Sequence, residues 1–260
     1  LSNGKLYALK RTDNNQVETD MVKGASYNVE LVQVPNAKEM TGKEIETKVN
    51  DLKAIRFSRV EDVDYGKGNA KNNRQVYFTA TGQAVNKTTP VDGYTMWGRV
   101  YRVTLDDANP LLGKLEVIAE GDSDPGNSLI NPDNLCVTEN YVYIQEDGDS
   151  FYKNNDHDGT IWQFSMSSKT LKPMLQMNHR RTDATFNTKY NPANNTQLST
   201  WEYGAMYDVS ALTGIPETFI VNIHPHTWTS DKYKNADGGS TRLVNNSEGG
   251  QVVIVRGVAK

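Results

Sequence analysis

The chain of 260 residues holds a single cysteine, Cys136, so neither a disulfide framework nor a cysteine-only metal cage can be built from it. It also lacks an excess of basic charge. Twenty-eight Lys and Arg against 32 Asp and Glu leave a formal charge of −4, which excludes the broad basic face that nucleic acid or an anionic membrane surface requires. No apolar run approaches the ~20 residues of a membrane-spanning helix, so membrane insertion is not expected. Gly-rich phosphate loops, a Ser-His-Asp elbow and a dinucleotide fingerprint are all missing. Long periodic helices are nearly missing too. One short helix is expected between Thr41 and Leu52, where Thr41 and Glu44 fit a capping box and Ile45, Val49 and Leu52 share a face.

What the chain has instead is 26 Asn and 20 Gly, and short segments rich in Val, Ile, Tyr and Thr between polar turns. These segments are Tyr27–Val34, Gln75–Thr79, Arg99–Leu105, Leu115–Ala119, Tyr141–Gln145, Thr160–Phe164, Phe219–Ile223 and Gln251–Val255. The fold class is therefore all-β, and the segments recur in order. Arg59-Val-Glu-Asp is followed by Val76-Tyr-Phe-Thr-Ala-Thr-Gly, Gly98-Arg-Val-Tyr-Arg-Val and Leu115-Glu-Val-Ile. Asn131-Pro-Asp-Asn is followed by Val142-Tyr-Ile-Gln-Glu-Asp-Gly, Gly159-Thr-Ile-Trp-Gln-Phe and Leu171-Lys-Pro-Met. Val76/Val142, Val100/Ile161 and Leu115/Leu171 are 66, 61 and 56 residues apart. A looser third copy runs from Trp201-Glu to Gly250-Gln-Val-Val-Ile-Val. A four-strand unit repeating at this interval is the mark of a β-propeller blade. Residues 1–260 are expected to form a single propeller domain with three to four blades, the fourth drawn from strands before Glu61. A closed ring needs at least four blades and commonly more, so the chain, which opens without an initiator Met, is expected to be incomplete at its N-terminus.

Within a repeat an acidic residue is expected just before the innermost strand, as Asp133 is ahead of Leu135-Cys-Val. The next, antiparallel strand ends in Glu146-Asp147-Gly, at the same sheet edge. Glu61 and Glu202 take the place of Asp133 in the neighbouring copies. The toroid would gather Glu61, Asp133, Glu146, Asp147 and Glu202 around one axis, where like charges raise the cost of ionisation. Arg59 is the one well-placed basic residue, so hard cations are the expected compensation: Ca²⁺ and Mg²⁺, and also Mn²⁺ or oxidised iron, suit such oxygen sites.

Taken in order, Arg59-Val-Glu-Asp, Trp97-Gly-Arg-Val-Tyr-Arg, Asn131-Pro-Asp-Asn-Leu, Ile144-Gln-Glu-Asp-Gly, Trp201-Glu and Asn222-Ile-His-Pro-His-Thr-Trp resemble the later motifs of the PhoX-type alkaline phosphatase family. The resemblance implies a six-bladed propeller, extracellular or periplasmic, that hydrolyses phosphate esters with an axial cluster of calcium and iron (Ca²⁺ and Fe³⁺) ions. It implies that Arg59 contacts the phosphate, that Glu61 ligates metal and serves catalysis, and that Glu146 or Asp147 and Glu202 complete this chain's share of the ligands. Asp133 is added from the strand geometry. The partner implied is a small-molecule phosphate ester, acted on by a monomer. Three departures stand out. Val60 replaces the family's proline, the family has a glutamine-containing stretch near His224–His226, and the family's cysteine ligand and further acids lie upstream of anything present here. Cys136, inside an inner strand, is expected to be a packing residue.

Two other readings fit a propeller of this kind. One is a calcium-dependent lactonase or esterase. The other is a non-catalytic, calcium-stabilised extracellular binding propeller that presents the polar stretches Asn178–Thr200 and Thr227–Gly249. His224 and His226, spaced i, i+2, could share a strand face, but Pro225 interrupts the strand and a loop contact is the simpler expectation.

Overall fold

Three antiparallel sheets follow one another along the chain in the computed structural model, which describes residues 4–86, 88–125, 128–147, 155–230 and 248–260. The strands are β1 (Leu6–Arg11), β2 (Ser26–Val34), β3 (Val60–Tyr65), β4 (Gln75–Ala80), β5 (Ala84–Asn86), β6 (Thr89–Pro90), β7 (Arg99–Leu105) and β8 (Leu112–Glu120). They continue as β9 (Pro132–Val137), β10 (Tyr141–Glu146), β11 (Thr160–Ser165), β12 (Leu171–Gln176), β13 (Glu202–Asp208), β14 (Thr218–His224) and β15 (Gln251–Arg256). The first sheet has the order β1-β2-β8-β7-β4-β3, the second β12-β11-β10-β9, and the third β13-β14-β15. Strands β5 and β6 form a separate hairpin. The expected strand segments all fall within these elements.

The chain before Glu61 departs from expectation. Its strands do not start a fourth unit. β2 pairs with β8, Tyr27 opposite Leu115, and β1 then adds outside β2, so both extend the first sheet. The expected helix forms as α1 (Gly42–Asp51), with Thr41 accepting from the Glu44 N–H and the Glu44 side chain accepting from the Thr41 N–H. The stretch 178–200, expected as an exposed polar loop, contains α2 (Ala184–Tyr190), capped by Asp183, and buries His179, Asn191, Ser199 and Thr200. Aromatic packing explains this: Phe186 and Tyr190 join the apolar cluster around Trp201. A third helix, α3 (Ser210–Thr213), follows β13. Among the described residues no helix is long and apolar enough to cross a membrane.

The second sheet is sandwiched between the other two, which accounts for the near-continuous burial of β10 and β11. Val142, Ile144, Trp162 and Phe164 meet Tyr77, Val100 and Leu129 of the first sheet and its flank. The alternate positions Tyr143 and Ile161, with Cys136, meet Tyr203, Met206, Phe219 and Val221 of the third. This stacking brings the first strand of each repeat, β3, β9 and β13, side by side.

Strand β9 is an edge, and its unpaired backbone groups are met by side chains of the first sheet. The Leu135 N–H donates to Asp62 Oδ2 at 2.9 Å and the Val137 N–H to Asp64 Oδ2 at 2.9 Å. Lys67 Nζ donates to the Val137 carbonyl at 2.8 Å and to Asp64 at 2.6 Å. The hydroxyls of Thr79 and Thr81 donate to the Asp133 and Pro132 carbonyls at 2.9 and 3.1 Å. The period of two explains the division on β3: Asp62 and Asp64 turn to β9, while Glu61, Val63 and Tyr65 are exposed. Asp64→Ala strands a backbone donor and an ammonium at once. It should lower the unfolding free energy in a urea titration by about 1–3 kcal/mol. Val63→Thr, on the exposed side of the same strand, should stay within ~0.5 kcal/mol of the wild type.

Candidate functional site

Leu135 lies opposite Asp62 and Val137 opposite Asp64, so β3 and β9 run in the same direction. Residues at the start of β3 and β9 therefore share one end, and Glu202 of β13 acts on Asp133 there. Glu61 is the second residue of β3, Asp133 the second of β9 and Glu202 the first of β13. The chain entering β3 is anchored from below. The buried carboxylate of Glu18 accepts from the N–H groups of Ser58 and Thr95, both at 3.1 Å, and from the Tyr101 hydroxyl at 2.8 Å. The Arg59 carbonyl accepts from the Thr81 N–H at 2.9 Å. Between these ties Arg59 adopts a left-handed backbone with φ 55°, a conformation a non-glycine residue holds only when its surroundings impose it. Its guanidinium lies 3.6 Å from Glu61 Oε1, with both side chains partly open to solvent.

The charges at this end interact across the three sheets. Burial pushes the Asp133 carboxyl up to about 6, and the negative charges of Glu202 and Glu61 add to the shift while Arg59 opposes it. On its far side Glu202 Oε2 accepts from His226 Nε2 at 3.3 Å, and His226 Nδ1 lies 2.8 Å from Glu248 Oε2. The hydrogen bond to Glu202 lifts the His226 ring to about 9, against the pull of burial and with support from Glu248. Further along β3, β9 and β13, away from Glu61, Asp133 and Glu202, a cleft of about 450 Å³ is lined by Asp62, Asp64, Cys136 and Asp208. Cys136 is buried, and burial holds its thiol up at about 12, so it is a packing residue there.

Carboxylate oxygens are the donor type that a hard, oxygen-seeking cation takes. Among the described residues, however, no group of three or more His, Cys, Asp or Glu side chains stands close enough to hold an ion as placed.

Glu146 has a different setting. Its side chain lies on the face turned to the first sheet, where Oε1 accepts from the Ile130 N–H at 2.7 Å and from Trp162 Nε1 at 2.6 Å. Oε2 accepts from the Thr160 N–H at 2.9 Å, and His157 Nε2 lies 3.1 and 3.2 Å from the two oxygens. Both oxygens are occupied by protein donors, so Glu146 acts here as the buried hub that ties β10 to β11 and the 128–131 turn. Asp147 follows it with its N–H on the Asn131 carbonyl at 3.0 Å. The sequence thus pointed to Arg59, Glu61, Asp133 and Glu202, which the fold brings into electrostatic contact, and to Glu146, which it directs elsewhere. It passed over Glu248 and treated His226 as a loop contact. Only tertiary pairing puts those two beside Glu202, although the His-Pro-His motif was the available signal.

Burial pulls the His157 ring down, but hydrogen bonds and charge from Glu146 and Asp156 outweigh it and lift the ring to about 9. A folded-state value above the ordinary 6.5 means the stabilisation is complete below pH 6.5 and is lost as pH rises through 9. The wild type should therefore lose up to about 3 kcal/mol more unfolding free energy across that window than His157→Gln. Urea titrations at the two pH limits measure the difference.

No family model, curated protein or solved structure matches the chain.

Proposed function

We propose that the three sheets are blades of a β-propeller and that the chain is a portion of an extracellular or periplasmic, metal-dependent phosphatase acting on small phosphate esters at the axial end of its inner strands. The observation that carries this reading is that the charges of Glu61 and Glu202, each on a different sheet, act on Asp133, with Arg59 opposing them. The ordered resemblance of the motifs around them to PhoX-type phosphatases supports it.

In this reading Glu61, Asp133 and Glu202 hold Ca²⁺, with iron as the further ion the family resemblance implies. A bound cation would neutralise charge on the phosphoryl oxygens and lower the pKa of a water near them. Arg59 does the orienting. Its planar fork matches two phosphoryl oxygens, and its forced backbone limits the directions it can reach. The anionic ester is drawn to Arg59 and kept from contact with bare carboxylates unless they are compensated, so turnover depends on cation loading. Burial, with the charges of Glu202 and Glu61, pushes the Asp133 carboxyl up to about 6, a value at which it can exchange a proton near neutral pH.

The test is hydrolysis of a simple aryl phosphate by the full protein in calcium. Glu61→Gln should abolish turnover and cation retention together, and Arg59→Ala should lower kcat by about 10²–10³-fold while the bound calcium stays. Vanadate should inhibit the wild type, whereas a lactonase would be indifferent to it. Full activity in Glu61→Gln would overturn the assignment.

A further inference from the structure

Each sheet packs on the next through opposite faces. The first meets the second with Tyr77 and Val100, and the third meets it with Phe219 and Val221. Side chains alternate between the two faces of a sheet, so the first and third sheets each keep a face turned away from the second. On the third sheet that face is apolar and open. The register sets Tyr207 opposite Ile220 and Ile220 opposite Ile254, a row that crosses all three strands. Tyr207 is 70% exposed, Ile254 61%, and Val252 beside it 65%. An antiparallel sheet with one face in water ordinarily sets polar side chains there. On the first sheet the corresponding face is covered in part, where Met21 and Ile55 lie against Tyr101 and Leu115. Its inner strand stays open. Val60, opposite Ala80, is 52% exposed, and Tyr65, opposite Val76, is 55% exposed. Contiguous apolar surface of this kind marks a place where another protein surface is received.

The two open faces are mates of one another. Twice within the chain the trailing face of one sheet receives the leading face of the next, and what remains is the leading face of the first sheet and the trailing face of the third. The third sheet of one copy set on the first sheet of another continues that stacking. Copies add three sheets at a time. Propellers generally hold about four to eight blades, and twice three is the one multiple of three in that range. We propose that two copies of the chain join head to tail into a closed ring, the third sheet of each seated on the first sheet of the other. This rests on the reading of the three sheets as propeller blades. A head-to-tail contact that closes leaves no copy with an open face, whereas one that does not close grows into a filament.

Sedimentation equilibrium of the full chain tests this. The wild type should have twice the mass of one chain, and its melting temperature should rise with protein concentration. Ile254→Lys and Val60→Lys alter exposed side chains on the two faces, and each should sediment as a single chain with its circular dichroism unchanged. Mixed in equal amounts they should pair again, because the mixed pair keeps one unaltered contact, between Ile254 of one copy and Val60 of the other. Where one of these variants fails to fold, Val252→Lys or Tyr65→Lys replaces it on the same face. Single chains in the wild type overturn the proposal, as does a ladder of longer assemblies. Pairing that survives Val60→Lys but not Ile254→Lys also overturns it, since the third sheets would then meet each other. Aryl phosphate hydrolysis in the same samples separates the two levels. Single chains that hydrolyse the ester remove the ring of two copies and keep the phosphatase, whereas paired chains without turnover keep the ring and remove the phosphatase.

Discussion

An inner strand that has no neighbour on one side must find partners for its backbone, and at β9 those partners are carboxylates. Asp62 and Asp64 accept from the Leu135 and Val137 N–H groups, and Lys67 and two threonine hydroxyls supply donors to the carbonyls. An exposed row of N–H and C=O groups invites pairing with another chain. Here the row is closed by side chains instead, and the closure has a geometric consequence. A side chain can span the gap between two sheets that share no ladder, and here side chains of the first sheet tie it to β9. The relative position of β3 and β9, and with it that of Glu61 and Asp133, is set by these bonds to within the tolerance of a hydrogen bond.

The same two strands carry acids of opposite use. On β3, Asp62 and Asp64 are turned inward and saturated by donors, while Glu61 stands one residue away on the open side beside Arg59. On the second sheet Glu146 is saturated by two backbone N–H groups, an indole and an imidazole, while Asp133 is left among like charges. Carboxylates that stabilise the fold are those whose lone pairs are filled by the protein. Asp133 has the charges of Glu61 and Glu202 nearby and accepts from Asn134 Nδ2 at 2.7 Å, with Arg59 opposing the repulsion and His226 lying against Glu202.

Much of the architecture was readable beforehand, because it rests on local rules. Alternating Val, Ile and Tyr marked the strands, and the capping box of Thr41 and Glu44 marked the one helix with a clear start. The recurrence of strands also predicted that Glu61, Asp133 and Glu202 share one end, since that follows from strand direction alone. The errors arose where distant segments compete. β1 and β2 have ordinary strand patterns, and nothing local says that they add to β8 rather than begin a unit of their own. The stretch 178–200 reads as polar, yet Phe186 and Tyr190 have an apolar partner in Trp201. Glu146 keeps the face of Val142 and Ile144, as alternation along β10 requires, but only the folded chain shows that Ile130, Thr160, Trp162 and His157 surround its carboxylate there.

Residue types and their spacing alone determined the β-rich class, the order of the repeats and the alignment of acids on successive inner strands, because side-chain alternation and strand polarity are properties of a few neighbouring residues. Which of those acids are filled and which remain open was decided only when the sheets stacked. A carboxylate's chemistry depends on the donors and charges within a few ångströms of it, and for Glu18, Asp133, Glu146 and Glu202 those neighbours come from tens of residues away along the chain.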